Sequence, residues 1–139
     1  MEVVGRGVTG KIVVFNHAYD KAMAAQGRGG EAYGEAVMYR SDAPSAAARM
    51  GAVAALIRSI GSADYRLPHT GQTKYADDVP KIPAGALAAE DAELVANLAP
   101  RGKLRMRLVL TPQQLPDVDS FNVALRKPSV QNLNTSVRT

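Results

Sequence analysis

Two histidines, a carboxylate close to one of them and a glycine-rich stretch are the residues of this chain best able to do chemistry. His17 and Asp20 could begin a metal site, with His69 as a distant third donor. Such a site needs converging donors, and the sequence has no HExxH, no HxH and no acidic cluster beyond Asp77-Asp78. A loop histidine and a solvated acid pair account for these residues more simply. Gly5-Arg-Gly-Val-Thr-Gly10 matches GxGxxG letter for letter. That pattern grips a pyrophosphate only where its glycines follow a strand and open a helix, whose first N–H groups face the anion. Here the glycines lead into a β-branched run, which is a strand, so they read as a turn. No G-x-S-x-G elbow presents a serine, and the absence of cysteine removes thiolate nucleophiles, disulfides and thiolate metal sites. Lys103, Arg105 and Arg107 could hold phosphates along a strand, but charges on the wet side of a strand also guard it against edge pairing. Asn134-Thr-Ser136 is a glycosylation sequon of a pattern common by chance. The residues by themselves describe a domain without catalytic apparatus.

The elements that must position these residues follow from local pattern. Residues 11–15 (Lys-Ile-Val-Val-Phe) form a short apolar run bounded by Gly10 and Asn16, as a buried strand requires. Residues 16–34 hold four glycines and no sustained period, which predicts an irregular loop with one helical turn at 21–25. A short strand is expected over 36–40. Ser41 and Asp42 are N-cap types, Pro44 suits a first turn, and the alanine-rich residues 45–50 predict a helix stopped by Gly51. Residues 52–57 (Ala-Val-Ala-Ala-Leu-Ile) form a continuous apolar run, the pattern of a strand covered on both faces. Residues 60–81 make a long connection of the kind that is usually functional or mobile. A strand at 82–87 and a helix at 89–99 follow, the helix with Glu90, Asp91 and Glu93 at its positive end. Leu104, Met106, Leu108 and Leu110 alternate with the basic residues and predict a strand over 103–110. A last strand is expected at 120–125. The sum is a single α/β (α+β) domain with two short helices and no internal repeat.

The chain has 139 residues, one domain's worth, with 46% apolar and 22% charged side chains, ordinary for a globular fold. Its net charge of +4 is unevenly spread. Removing Arg126, Lys127 and Arg138 leaves 14 basic against 13 acidic residues, so the remainder is nearly neutral and nucleic acid is not an expected partner. No apolar run reaches the roughly 18 residues of a membrane span. The N-terminus lacks the charged-then-apolar order of a signal peptide.

Several stretches taken together resemble the protease-associated domain of secreted di-zinc exopeptidases of the carboxypeptidase Q type. They are Gly10-Lys-Ile-Val-Val-Phe-Asn16, Tyr39-Arg40 with Pro44-Ser-Ala-Ala-Ala48, Gly51-Ala-Val-Ala-Ala-Leu-Ile-Arg-Ser59 and Pro68-His-Thr-Gly71. Val79-Pro-Lys-Ile-Pro83, Glu90-Asp-Ala-Glu93 and Leu115-Pro-Asp-Val-Asp-Ser-Phe-Asn-Val123 continue the series in the same order. The resemblance implies a compact protease-associated fold over 1–125, a small β-barrel or sandwich flanked by two short helices. In that family the zinc ligands and general-base glutamate lie in a peptidase domain that resumes after the segment matching 120–123. No catalytic role or cofactor therefore carries over to this chain, and zinc is expected only in the peptidase domain. Residues 126–139 depart from the pattern and are expected to be a disordered tail, as in a fragment. The family is secreted or periplasmic.

The resemblance implies a non-catalytic module that shapes or covers the substrate site of a neighbouring peptidase domain, its partner. The loop through Tyr65, His69, Thr70, Gly71 and Tyr75 is then the expected contact surface for peptide substrate or partner. Two other readings are a free-standing interaction module, which binds a partner or itself through bared apolar surface, and a small metallohydrolase built on His17, Asp20 and His69.

Overall fold

A computed structural model describes residues 7–61, 65–111, 113 and 115–121. Three short strands, β1 (Ile12–Phe15), β2 (Ala54–Arg58) and β3 (Ala84–Leu87), form one open sheet in the order β1-β2-β3. Both pairings are parallel, with Ile12 opposite Ala54, Phe15 opposite Ile57, Ala55 opposite Ala84 and Arg58 opposite Leu87. Between β1 and β2 run three helices: α1 (Lys21–Met23), α2 (Gly29–Ser41) and α3 (Ala43–Arg49). The wide turn joining α1 to α2 kinks at Gly27, whose φ is +80°. After β3 comes α4 (Ala89–Leu98), closed by a tight turn at Ala99–Arg101.

Parallel neighbours need a long return between them, because each strand must begin at the same end of the sheet. Between β1 and β2 the helices make that return. Between β2 and β3 it is made by residues 59–83, which contain no helix among the described residues. Side-chain hydrogen bonds, some made by the return itself and some by α3 and α4, strap it in place instead. Ser59 Oγ accepts from the His69 N–H at 2.7 Å and donates to the Leu87 carbonyl at 2.6 Å. Ser45 Oγ accepts from the Ala76 N–H at 3.0 Å and donates to the Lys74 carbonyl. The Tyr75 hydroxyl donates to the Ile82 carbonyl, and Arg49 grips Asp78 through two bonds. The Arg66 N–H donates to Glu90 and its guanidinium to Asp91, pinning the loop to the start of α4.

Alternation along the strands sends Val13, Phe15, Ala55 and Ile57 to one face of the sheet. There they pack with Ala43, Ala47, Ala52 and Tyr39. Ala43, Ala47 and Ala55 are fully buried. Small side chains at these points let α3 lie close on β2. Leu56, also buried, faces the other way. Gly51, at φ +77°, ends α3: its N–H donates to the Ala48 carbonyl and that of Ala52 to Ala47. These are the two bonds of a left-handed helix stop. The glycines before β1 serve the same junction. Gly10, at φ +70°, donates to the Gly51 carbonyl, and Thr9 Oγ1 donates to that of Met50.

Five expectations are corrected. The sheet is open, not a barrel: β1 and β3 are its free edges, and three strands are too few to curl and meet. Residues 36–40 are not a strand but the end of α2, and much of the expected loop at 16–34 is helical. The period was carried by Ala32 and Ala36, buried at a spacing of four, rather than by large side chains. Ser41 and Asp42 do not cap: Ser41 closes α2, and Asp42 makes no side-chain cap bond to α3. Residues 103–110 form no strand, and most of them are exposed. Leu104 and Met106 still lean toward Ile12 and Val14 of β1 and Leu94 and Leu98 of α4, around an open apolar groove of about 720 Å³. Alternation selects a face but supplies no pairing edge. The expected strand at 120–125 lies outside the described residues beyond Phe121, and so does the expected tail at 126–139.

Candidate functional site

Beside β3 and the end of β2 lies a small cavity of about 100 Å³, roofed by the loop that returns to β3. Its wall carries His69, Thr70, Gly71 and Thr73 from the loop, Arg58 from β2 and Arg40 from the last turn of α2. Ile57, Ile60, Ala84, Gly85 and Ala86 complete it. The helix places Arg40 seven residues beyond Tyr33, two turns along the same face, and Arg40 Nη1 donates to the Tyr33 hydroxyl at 3.2 Å. The guanidinium carbon stands 6.0 Å from the Tyr33 ring centre, and the His69 ring lies against that tyrosine at 6.3 Å. Arg40 Nε is buried without a protein acceptor. Gly71 rests directly on this guanidinium: a Cβ there would fall 2.6 Å from Arg40 Cζ and 2.7 Å from Nε. Only glycine permits that approach.

Arg58 is differently placed. Its guanidinium donates to Glu93 on α4 at 2.6 Å and to Asn16 Oδ1 at 3.1 Å. Its charge is therefore matched within the fold.

The structure gathers His69, Thr70 and Gly71 around the cavity and separates the other two expected contact residues. Tyr65 is 79% exposed and does not line it. Tyr75 turns to the Ile82 carbonyl, and burial pushes its phenol above the ordinary tyrosine value. Tyr33 and Arg40, the core of the arrangement, are not marked as site residues by the sequence: Arg40 enters there only beside Tyr39 in one stretch of the resemblance, and a lone arginine or tyrosine on a helix is ordinary. The would-be metal donors do not converge. Asp20 Oδ1 accepts from the Met23 N–H as the cap of α1, and the His17 ring stacks on Tyr39 at 4.5 Å. Among the described residues no three His, Cys, Asp or Glu side chains stand where they could hold a metal ion. This donor set does not fit zinc. The GxGxxG stretch, described from Gly7 onward, leads into β1 with no helix behind it.

No family model matches the sequence. Among solved structures, a peptidase M28 precursor from Shewanella amazonensis SB2B shares the fold with a TM-score of 0.55 and 34% identity, over 70% of this chain and 21% of that one. The chain thus resembles, in fold and in sequence, a segment of an M28 peptidase. The relatives among curated proteins are more particular and all bear one name, carboxypeptidase Q. The mouse protein is 41% identical over 114 residues and the human protein 40%, each match taking in 81% of this chain and 22% of the relative. The bovine protein is 40% identical over 119 residues. The chain is related to one segment of carboxypeptidase Q and spans about a fifth of the length of the curated relatives it matches.

Proposed function

We propose that this chain is the non-catalytic, protease-associated part of a zinc exopeptidase, and that it shapes or covers the substrate site of the peptidase domain. The observation that carries this reading is the 114-residue match to carboxypeptidase Q. The strapped return loop supports it. Its backbone is tied to β2, β3, α3 and α4, while His69, Thr70 and Tyr65 remain exposed, a fixed surface presented outward. Pre-ordered loops of this kind lose little entropy on contact with a ligand. The module contributes walls rather than reacting groups.

The test is a chimera in which this chain replaces the matching segment of mouse carboxypeptidase Q, assayed for dipeptide hydrolysis. His69→Ala with Tyr65→Ala is expected to raise KM several-fold with little change in kcat, the mark of lost substrate positioning. A chimera equally efficient with both alanines overturns the assignment of this loop. Turnover by the isolated chain with added zinc overturns the non-catalytic reading itself.

A second reading, a free-standing interaction module, draws on the apolar groove between β1, α4 and residues 104–106, where Leu94 and Leu104 are about half exposed. Exposed apolar surface of this kind favours association. Sedimentation velocity of the chain alone decides it: a monomer at every concentration speaks against self-association.

A further inference from the structure

Arg40 differs from every other described arginine. Arg28, Arg49, Arg58 and Arg66 each lie against a carboxylate, and Arg101, Arg105 and Arg107 are exposed to water. Arg40 is partly buried, and no ion pair joins it to a carboxylate among the described residues. Its hydrogen-bond acceptor is a neutral phenol, and its Nε has none. A guanidinium cannot relieve burial by losing its proton, as a lysine can. An anion relieves it more strongly than a water does, because its hydrogen bonds are charge-assisted, and the planar fork of donors suits a planar, two-oxygen acceptor.

Three features fix the class of that anion. The cavity offers about 100 Å³, where a single water needs roughly 10–15 Å³ of such space. It therefore has room for a small group and not for a nucleotide. The charge balance is the second: Arg58 is matched by Glu93, so Arg40 leaves the wall one positive charge in excess and favours a monoanion over a phosphate dianion. The third is the apolar side formed by Ile57, Ile60 and Ala86, against which a short carbon stem can lie. We propose that this cavity binds a carboxylate monoanion on a short carbon stem, with Arg40 held by Tyr33 and Gly71 as its charged anchor. Reading that carboxylate as the free end of a peptide rests on the exopeptidase assignment above; the binding does not.

The experiment is a titration of the full chain, labelled with ¹⁵N, by N-acetylglycine, by N-acetylglycinamide and by inorganic phosphate. The acid is expected to shift the Arg40 Nε–H and the Thr70 and Gly71 amides saturably, and the uncharged amide to shift none of them. Arg40→Gln is expected to weaken binding at least about tenfold, the scale of one lost charge-assisted hydrogen bond. Gly71→Ala, which displaces the guanidinium, should weaken it too, while Arg101→Gln, at an exposed site outside the cavity wall, leaves it unchanged. Equal responses to acid and amide, saturation by phosphate without saturation by the acid, or unaltered binding in folded Arg40→Gln would each overturn the proposal. If Arg40→Gln does not fold, the comparison of acid with amide on the native chain decides alone. Saturable carboxylate binding together with a chimera insensitive to its loop alanines would retain the site and reject the peptidase reading of the loop.

Discussion

Ser59→Ala is the sharpest probe of how the second parallel crossover is held. Ser59 follows β2 and is 8% exposed. Its hydroxyl closes a relay, accepting from the His69 N–H at 2.7 Å and donating to the Leu87 carbonyl at 2.6 Å. Alanine removes both bonds. The Leu87 carbonyl keeps the Ser59 N–H at 2.9 Å, and the exposed His69 can offer its own N–H to water, so neither group is stranded in apolar surroundings. The loss is therefore the net worth of two hydrogen bonds without a desolvation penalty, about 1–2 kcal/mol. For a domain of this size that corresponds to a fall in Tm of roughly 4–8 °C. Thermal unfolding by circular dichroism reads the total, and hydrogen exchange at His69 locates it, because the loop's tether to β2 is cut there. Ser41→Ala is the control, since its hydroxyl makes only long contacts of 3.4 and 3.5 Å to carbonyls of its own helix. A Tm for Ser59→Ala no lower than that of Ser41→Ala, with exchange at His69 unchanged, refutes the relay.

Gly51→Ala should cost about 1–2 kcal/mol, read as a lower urea midpoint at constant slope: φ is +77° and the new Cβ would lie 3.3 Å from Thr9. Gly34→Ala, inside α2 with nothing within 4 Å of its Cβ, should instead stabilise by about 0.4–1 kcal/mol in the same assay. The Arg49 guanidinium, hydrogen-bonded to Asp78, holds that carboxyl below its usual range. The folded chain therefore binds this proton less readily than the unfolded one, and the pair's contribution is present at neutral pH and lost as pH falls through the folded value. Arg49→Gln should flatten the acid limb of a stability–pH profile; an unchanged limb would count against the pair. For Tyr75 the sign reverses. Burial raises its phenol, so its contribution stands below the ordinary value of about 10 and fades as pH rises through the folded one. Tyr75→Phe should lose about 0.5–1.5 kcal/mol at neutral pH with the bond to Ile82, and show a shallower alkaline decline in denaturant titrations.

Much of the scaffold was legible along the chain because its signals are local. β1 and β2 announce themselves as apolar runs between polar or glycine punctuation, and α3 ends at Gly51 because only glycine sits comfortably at that φ. The acidic start and apolar face of α4 are equally local. α2 hid because its buried face is Ala32 and Ala36 in a glycine-rich stretch, where hydrophobic contrast is weak. For residues 103–110 the reverse held: the contrast was strong, but a strand also needs a partner edge.

The order of residues was enough for the class of element at most positions, for the resemblance to a peptidase segment, and for the loop that carries His69, Thr70 and Gly71. Only the tertiary structure decided that the sheet is parallel and open, that the long loop is therefore its return path, and that Arg40 meets Gly71 from 31 positions away. The reason is physical. Strand and helix signals arise from neighbours in sequence, whereas a buried charge acquires its meaning from whatever the fold packs against it, and one sequence does not print those distances.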